Sequence, residues 1–590
     1  MLPDTIPHRV LTNATRLGEA PAYHVRGPSG WQATSWSTYG DEVRRAGAAL
    51  VALGVEERTP VCILGANRPE WVIFDVAAMA AGAVPAGIYA TSSPSECEYI
   101  LNHSEAPVLL VEDTAQWAKI TSVRDRLPHL RHAVLMRGAE TVDDPMVLSW
   151  EEFVRRGEGA GGALDARLDA LRPESLGTFI YTSGTTGRPK AVMLTHDNLA
   201  WTAARAADLM AATPADRLLS YLPLSHIAEQ MMTIHAPAVA GSAVYYAESI
   251  EKLLENLLEV RPTVFFGVPR VWEKFQAGVA AKLAEATGPK AKLAQQAMAV
   301  GRQVTARHNQ GLEPALTTQA QYKAFQRLVY HKVKAALGLD QARLCASGAA
   351  PVAVEVLEFF AGLDLPICEV YGQSEDNGPT TFNAPGHTRF GTVGPPFPGV
   401  EVKIADDGEI LVRGRNVFTG YYKDPEATAE ALEDGWLHSG DLGEFDADGF
   451  LTITGRKKDI IITAGGKNVA PKLIESGLKS HPLVSEAVVI GDRRKYLTVL
   501  LTLESEAAGR FLAERGLSGR PGDSDAVKAE IEKALDAVNT ELARVEQVKK
   551  FTILSRELSM AEGELTPTLK VKRDVVLDHF AAEIEAMYTE

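Results

Sequence analysis

A segment at positions 181–190 carries side chains suited to phosphate chemistry. It reads Tyr-Thr-Ser-Gly-Thr-Thr-Gly-Arg-Pro-Lys, and its two glycines let the backbone turn tightly and approach a ligand closely. Its hydroxyls and free N–H groups can donate to phosphate oxygens, and its lysine adds a compact positive charge. The candidate phosphate contacts are Thr182, Ser183, Gly184, Thr185, Thr186, Gly187 and Lys190.

The segment differs from the phosphate loop of P-loop NTPases. That loop has the spacing GxxxxGK[ST] and leads into a helix, whereas Ala-Val-Met-Leu at 191–194 predicts a strand. A polar β-hairpin turn is the plain alternative for a loop rich in glycine, serine and threonine. Ten residues in this particular order favour the phosphate site.

Further motifs follow along the chain. They are Ser-Gly-Ala-Ala-Pro at 347–351, Tyr-Gly-Gln-Ser-Glu at 371–375, Gly-Thr-Val-Gly-Pro at 391–395, Gly-Tyr-Tyr at 420–422, Ser-Gly-Asp at 439–441, Gly-Arg-Lys-Lys-Asp at 455–459 and Pro-Thr-Leu-Lys at 567–570. Together with the phosphate segment they resemble the motifs of the adenylate-forming superfamily of acyl-CoA synthetases, luciferases and nonribosomal adenylation domains. The resemblance spans nearly the whole chain.

The resemblance implies a binding site for ATP. Tyr371 matches the tyrosine that stacks on adenine, Asp441 the aspartate that binds the ribose hydroxyls, and Glu375 the ligand of Mg²⁺. One carboxylate is enough for Mg²⁺, which takes its other ligands from phosphate and water. The remaining implied nucleotide contacts are Gly348, Ala349, Gly372, Gln373, Ser374 and Arg456. Taken singly, such residues have ordinary alternatives, namely a core aromatic, a solvated turn carboxylate or an exposed acid.

The resemblance also implies two half-reactions. The substrate carboxylate attacks the α-phosphorus of ATP and releases pyrophosphate, with Lys570, Glu375 and Thr182 as the catalytic residues. The C-terminal domain then rotates about Lys458, and the thiol of coenzyme A attacks the acyl-adenylate. Positioning and neutralisation of charge supply most of the rate in such a reaction.

The sequence departs from the commonest family pattern at two places. Thr568-Leu569 precedes Lys570 where many relatives have Ser-Gly, but long-chain acyl-CoA synthetases carry a similar Thr-Pro-Thr-x-Lys form. Lys572 lies two residues further on and is the alternative catalytic lysine. Asp376 and Asn377 follow Glu375 where small residues are usual, and the family pattern does not explain them.

Two features favour a long-chain fatty acid as the substrate. Leu-Pro-Leu-Ser-His-Ile-Ala-Glu at 222–229 is similar to the gate of the acyl tunnel in long-chain enzymes, and it places His226 in the gate; a core histidine is the alternative. A helical insertion at about 273–340 is the second feature, and it carries ten basic and four acidic residues. A fatty acyl-AMP ligase that serves a carrier protein, and a catalytically silent lipid-binding scaffold, stay open as alternatives.

The elements that must position these residues are strands alternating with helices. Strands are predicted at 60–65, 83–89, 106–112 and 132–136, with a helix at 70–81, which is typical of βαβ units and parallel sheets. We therefore predict an α/β fold in which a large N-terminal domain (1–455) has parallel sheets flanked by helices. A small, mobile α+β domain (456–590) follows, with a charged helix at 525–548.

Composition limits the function classes. The 590 residues exceed what one core supports, and a net charge of -16 argues against general nucleic-acid binding. Four cysteines without a CxxC pair, and a start without signal-peptide character, predict a cytoplasmic protein. Peripheral contact at the inner face of the membrane, through the basic insertion, is a hypothesis. The oligomeric state stays open, with a homodimer as one option.

Overall fold

The computed structural model describes residues 4–182, 188–464, 467–544, 546–566 and 570–589. Its central element is a seven-stranded sheet whose first six strands run parallel, closed by an antiparallel hairpin at one edge. In spatial order the strands are Val147–Ser149, His132–Leu135, Val108–Val111, Pro60–Leu64, Val84–Ile88, Leu176–Thr182 and Lys190–Thr195. The predicted strands therefore form, and they lie side by side in one sheet.

Five further sheets occur in the described residues. One contains Arg217–Ser220, Ala243–Tyr246, Pro21–Gly27 and Gly30–Ser35; the next contains Val264–Gly267, Leu344–Ser347, Ile367–Tyr371 and Thr381–Phe382. A third contains Glu401–Ile404, Glu409–Arg413, Trp436–Phe445, Leu432–Glu433 and Leu451–Arg456. Ile461–Ile462 pairs with Asn468–Val469, and Val484–Ile490, Leu497–Leu503 and Val548–Ile553 form the last sheet.

Helices cover these sheets. In the N-terminal part they are Ile6–Leu17, Trp36–Ala52, Pro69–Ala80, Pro94–Ser104, Thr114–Thr121, Trp150–Arg156, Gly161–Ala170, His196–Leu209, Ile227–Gln230, Ala236–Ala240, Leu253–Val260, Pro269–Ala284, Pro289–His308, Leu316–Phe325, His331–Ala336, Val354–Gly362 and Pro425–Ala431. The later helices are Pro471–Lys479, Ser505–Glu514, Asp525–Thr540, Arg573–His579 and Ala581–Tyr588. Short 3₁₀ turns span Arg124–Arg126, Lys457–Asp459 and Pro521–Asp523, and π-helical turns span Met231–His235 and Gln326–Tyr330.

The central strands are buried on both faces. Every residue of Pro60–Leu64 and Val84–Ile88 is buried, which explains why these strands read as continuous apolar runs rather than alternating ones. The helix Pro69–Ala80 is buried along its entire length and packs against Trp36–Ala52. Burial on this scale gives the large N-terminal part a rigid platform for the loops at its sheet edges.

The C-terminal part has cores of its own. One apolar cluster joins buried residues between Ile461 and Val548, and a second joins residues between Val488 and Met587. The fold is thus mixed α/β with a large N-terminal and a smaller C-terminal part, as predicted. The helix predicted at 525–548 is too long, since it ends at Thr540. Asn539 exchanges two hydrogen bonds with the backbone of Val548, which instead begins a strand parallel to Leu497–Leu503.

The predicted insertion is helical. Gly288, with a φ of 60°, separates Pro269–Ala284 from Pro289–His308, as the Gly-Pro pair predicts. The second helix packs on Leu316–Phe325 and on the following π-turn through a small core of Ala297, Val300, Val304, Phe325, Val329 and Tyr330. Leu312, Leu316 and Leu328 stay exposed on its outside, and Leu316 is 82% accessible.

Candidate active site

The two ends of the phosphate segment meet at the edge of the central sheet. Thr182 and Lys190 are paired residues of the antiparallel hairpin, and the Thr182 hydroxyl donates to the Lys190 carbonyl at 3.4 Å. The Lys190 ammonium lies 4.9 Å from the ring centre of Tyr421 and 4.0 Å from Asp424. Ser183, Gly184, Thr185, Thr186 and Gly187 fall outside the described residues. The two flanking residues therefore fix where this segment leaves and rejoins the sheet.

Asp441 lies at the centre of a hydrogen-bonded group. Its carboxylate accepts from the Tyr371 hydroxyl, the Gln373 amide and Arg456 Nε, each at 2.8 Å. Asp441 and Arg456 are paired residues on adjacent strands, so their contact is set by sheet register. Asp441 is buried and Arg456 is partly exposed, and the carboxylate raises the pKa of the guanidinium. Four predicted nucleotide residues, Asp441, Tyr371, Gln373 and Arg456, thus lie in one place.

The turn after Tyr371 requires glycine. A Cβ on Gly372 would lie 1.3 Å from the Gly378 carbonyl oxygen, so any other residue would displace the loop. Gly348 is similarly confined by Val370, 2.7 Å from its would-be Cβ, and Ala349 next to it takes a φ of 69°. Because Ser347 and Tyr371 end neighbouring strands, these two predicted segments emerge at the same sheet edge.

Glu375 lies between this turn and the phosphate segment. Its Oε1 accepts from the Tyr421 hydroxyl at 2.9 Å, and Tyr421 is the same ring that faces Lys190. The other oxygen, Oε2, accepts no hydrogen bond from the described residues, which leaves it free for a cation. Such a donor fits Mg²⁺ when phosphate and water complete the coordination. Tyr421, a residue of the Gly-Tyr-Tyr motif, links the two predicted sites.

Asp376 and Asn377, which the family pattern leaves unexplained, hold this loop in place. Asp376 is buried; it accepts from the Gln373 N–H at 2.8 Å and from the Thr380 hydroxyl. Burial raises the pKa of Asp376 to about 7. Asn377 donates its amide to the Asn198 carbonyl at 2.7 Å, and its N–H donates to the Ser374 carbonyl at 3.1 Å. Both residues therefore act as scaffolding for the positions of Ser374 and Glu375.

Lys570 approaches this group from the C-terminal part. It closes a short loop in which its N–H donates to the Thr566 hydroxyl at 3.0 Å and its carbonyl accepts from the Thr566 N–H at 2.7 Å. Lys570 keeps a large solvent-exposed surface, while its ammonium lies among the charges of the nucleotide group. Burial lowers the pKa of Lys570 to about 8, with Arg456 and Lys472 acting in the same direction and Asp441 and Glu375 opposing them. Lys572, the alternative lysine, lies 3.9 Å from Glu96 instead.

The predicted acyl gate also lies near Lys570. His226 caps the helix Ile227–Gln230 by accepting the Ala228 N–H at Nδ1, 3.2 Å away. Burial lowers the pKa of His226 to about 4, and the nearby charge of Lys570 adds to this effect. The imidazole is therefore neutral at pH 7. The backbone continues into a π-helical turn at Met231–His235, a feature frequent at functional sites.

Glu229 anchors this gate from beneath, although the sequence does not single it out. Its carboxyl is 2% exposed and accepts from the Ser220 and Thr233 hydroxyls at 2.7 Å and from the Asn67 amide and the Leu222 N–H at 3.3 Å. Burial raises the pKa of Glu229 to about 7. These bonds hold both ends of the gate segment to the core.

The predicted hinge residue lies at an exposed junction. Lys458 belongs to a 3₁₀ turn between Leu451–Arg456 and the first C-terminal strand, and it forms no hydrogen bond or ion pair with the residues that the structure describes. Its neighbour Lys457 instead binds Asp407 at 2.7 Å and Glu409 at 3.0 Å, which ties the turn to the N-terminal part. A pivot at Lys458 would thus break no contact of its own side chain.

Two parts of the sequence match known protein families. Residues 10–422 match the AMP-binding enzyme family, and residues 458–590 match the AMP-binding enzyme C-terminal domain.

The chain belongs to the AMP-binding enzyme family.

Relatives named long-chain-fatty-acid–CoA ligases align with nearly the whole of this chain. The ACSBG2 protein of Xenopus laevis is 38% identical and is aligned over 100% of this chain and 84% of its own. The FadD15 protein of Mycobacterium tuberculosis is 39% identical over 95% of this chain and 93% of its own. A solved anthranilate CoA ligase, AuaEII in complex with anthranoyl-AMP, superposes with a TM-score of 0.72 at 21% identity, covering 97% of this chain and 98% of its own. That likeness supports the fold.

Proposed function

We propose that this protein is an AMP-forming long-chain fatty acid–CoA ligase. It converts ATP, a fatty acid and coenzyme A into acyl-CoA, AMP and pyrophosphate through an acyl-adenylate. Relatives with 36–39% identity, aligned over 95–100% of this chain, are named long-chain-fatty-acid–CoA ligases. The observation that carries the mechanism is that Lys570, from the C-terminal part, is close enough to Asp441, Glu375 and His226 for their charges to interact.

The nucleotide occupies the group around Asp441. Asp441 receives the ribose hydroxyls, with Arg456 beside it, and Tyr371 provides a ring for the adenine. Thr182, Lys190 and the segment between them bind the phosphates, while Gly348, Ala349, Gly372, Gln373 and Ser374 shape the pocket. Glu375 holds Mg²⁺, which supplies charge neutralisation to the phosphates when it is bound.

Lys570 serves the adenylation step. With a pKa of about 8 it is mostly protonated at pH 7, so it can neutralise charge that develops between the carboxylate and the α-phosphate. His226 is neutral, because its pKa of about 4 lies far below 7, and it adds no competing positive charge. The acyl chain passes the gate at 222–229, whose position Glu229 fixes. Positioning and electrostatics thus carry the step.

Thioester formation follows a rotation of the C-terminal domain, with the boundary between 455 and 456 and the pivot at Lys458. Rotation withdraws Lys570 and opens a route for the thiol of coenzyme A. A fatty acyl-AMP ligase that passes the acyl group to a carrier protein is the alternative acceptor assignment. A silent scaffold is disfavoured because Lys190, Glu375, Asp441 and Lys570 are all present.

The insertion at about 273–340 serves as a peripheral membrane contact of a cytoplasmic enzyme. It carries a net charge of +6, from ten basic and four acidic residues, against -16 for the whole chain. The exposed Leu312, Leu316 and Leu328 add apolar contact beside these charges. No described helix combines the length and the apolar character that a membrane span requires. Light scattering in solution distinguishes a monomer from a homodimer.

Fatty-acid-dependent exchange of labelled pyrophosphate into ATP tests the first half-reaction directly. The proposal predicts exchange with palmitate and Mg²⁺, little exchange without either, and loss of exchange in Asp441→Asn, because the ribose partner is weakened. Absence of exchange with fatty acids of every chain length contradicts the proposal.

A further inference from the structure

Lys472 is a second lysine of the C-terminal part that lies beside the nucleotide group. It is the second residue of the helix Pro471–Lys479, which packs on the strand carrying Arg456. The packing is close, since a Cβ on Gly455 would lie 3.3 Å from the Ala470 Cβ. This contact places the start of the helix directly against the residue that precedes Arg456.

Lys472 has no ion-pair partner among the residues that the structure describes. It is only partly exposed, and it forms no hydrogen bond or ion pair with the described residues. The acid one turn along its helix, Glu475, is already bound by Arg573 and by the Val489 N–H at 2.8 Å. Glu475 is close enough for its charge to raise the pKa of Lys472, but its bound oxygen, Oε1, is occupied by Arg573 and Val489.

Asp441 and Asp459, near the domain junction, are also close enough for their charges to act on Lys472, but neither forms an ion pair with it. Both oxygens of Asp441 accept hydrogen bonds, from Arg456 on one side and from Tyr371 and Gln373 on the other. Burial lowers the pKa of Lys472. Lys472 is also close enough to Arg456 and Lys570 for the three positive charges to interact. A partly buried cation without a partner, beside two more cations, costs free energy unless an anion joins the group.

We infer that Lys472 binds phosphate oxygens of the nucleotide during the adenylation half-reaction, as a partner of Lys570. The inference rests on the proposed function, and it identifies a residue outside the motifs that the sequence predicts. Of the three cations, Arg456 is paired with Asp441, whereas the Lys472 and Lys570 ammonium groups form no ion pair with a described residue. Of the substrates, the nucleotide phosphates carry the charge that such a group would balance.

The position of Lys472 restricts its role to one half-reaction. It follows the hinge, so it moves with Lys570 when the C-terminal domain rotates. Its contact with phosphate is then lost before the thiol of coenzyme A attacks. Loss of the Lys472 charge should therefore slow adenylation and leave thioester formation from preformed acyl-adenylate intact.

The test compares Lys472→Met, which keeps the apolar stem and removes the charge, with Lys472→Arg, which keeps the charge. Lys528→Met is the matched control, since Lys528 is exposed on the helix Asp525–Thr540. Each protein is assayed for palmitate-dependent pyrophosphate exchange over a range of ATP concentrations. Single-turnover thioester formation from palmitoyl-adenylate and coenzyme A is measured separately, and thermal unfolding verifies folding.

We expect Lys472→Met to lower kcat/KM for ATP in the exchange reaction about ten-fold or more, which is the size of one charge-assisted hydrogen bond. Thioester formation should stay within about two-fold, as should both activities of the control. Lys472→Arg should recover most of the exchange activity. Unchanged exchange in Lys472→Met, or equal loss in both half-reactions, overturns the inference. Absence of exchange in the unmodified enzyme overturns the proposed function instead.

Discussion

Glu229 lies buried beneath the gate segment, and replacing it with glutamine should change stability in a way that depends on pH. The carboxyl accepts four hydrogen bonds, and its pKa is raised by burial from 4.5 to about 7. Because burial makes the Glu229 carboxyl harder to ionise in the folded protein than in the unfolded chain, the folded protein loses stability at the pH values where this carboxyl ionises. Below pH 4.5 both states are protonated and the penalty is absent; above pH 7 it is fully present.

The magnitude follows from the pKa difference. At about 1.4 kcal/mol per pH unit, a rise from 4.5 to about 7 gives a full penalty of about 3 kcal/mol, of which about 2.5 kcal/mol develops between pH 5 and pH 8. Glutamine carries no such penalty. It places an NH₂ group near the Leu222 N–H or the two hydroxyls, and this mismatch costs about 1–3 kcal/mol at every pH. Glu229→Gln should thus be less stable than the parent at pH 5 and gain on it by about 2.5 kcal/mol at pH 8.

Thermal unfolding of both proteins at pH 5, 6, 7 and 8 measures the effect. For a unit of roughly 450 residues the entropy of unfolding is about 1 kcal/mol per degree, so the midpoint of the variant should rise by about 2–3 °C relative to the parent across this range. The other buried carboxyls are present in both proteins and cancel in the difference. Glu255→Gln, at an exposed position, should show no such trend. A difference that does not change with pH, or that moves against the variant at high pH, refutes the reasoning.

Three further predictions concern the two half-reactions and the insertion. Lys570→Ala should lower the rate of acyl-adenylate formation by about 10²-fold or more. Thioester formation from preformed acyl-adenylate should be retained. If Lys572→Ala shows this selective defect instead, Lys572 is the catalytic lysine. Lys458→Pro fixes φ near -65° and should preserve pyrophosphate exchange while thioester formation collapses; an unchanged overall rate would place the pivot elsewhere. Through the insertion at 273–340, the protein should bind anionic vesicles at low salt but not neutral vesicles. This binding should be lost when four lysines of the insertion become glutamine. Failure to bind anionic vesicles at low salt contradicts the membrane role.

The sequence predicted those parts of the site that are local in the chain. The strand at 191–194 after the phosphate segment, and the four strands predicted for the central sheet, follow from apolar runs, because such signals act within a few residues. The glycine and proline at 288–289, which separate two helices of the insertion, are a signal of the same local kind. The family resemblance supplied the roles of Asp441 and Lys570, which no local pattern could assign.

Contacts between distant segments could not be predicted. Glu229 meets Asn67 across 162 positions, and Asn377 holds the backbone of Asn198 across 179. Such pairs depend on the complete packing and leave no periodic signal. The helix predicted at 525–548 was too long because the pairing of Val548 with a distant strand overrides helical propensity. Lys472 became a candidate only when the structure placed it near Arg456 with no ion pair to a described residue.

Product analysis with ATP, Mg²⁺, palmitate and coenzyme A tests the central claim most directly. Mass spectrometry of the reaction should show palmitoyl-CoA and AMP in equal amounts, with palmitoyl-adenylate accumulating when coenzyme A is omitted. Palmitoyl-adenylate without palmitoyl-CoA, even in the presence of coenzyme A, would instead identify a fatty acyl-AMP ligase. Neither product, from a folded protein that binds palmitate, would contradict the assignment of an enzyme.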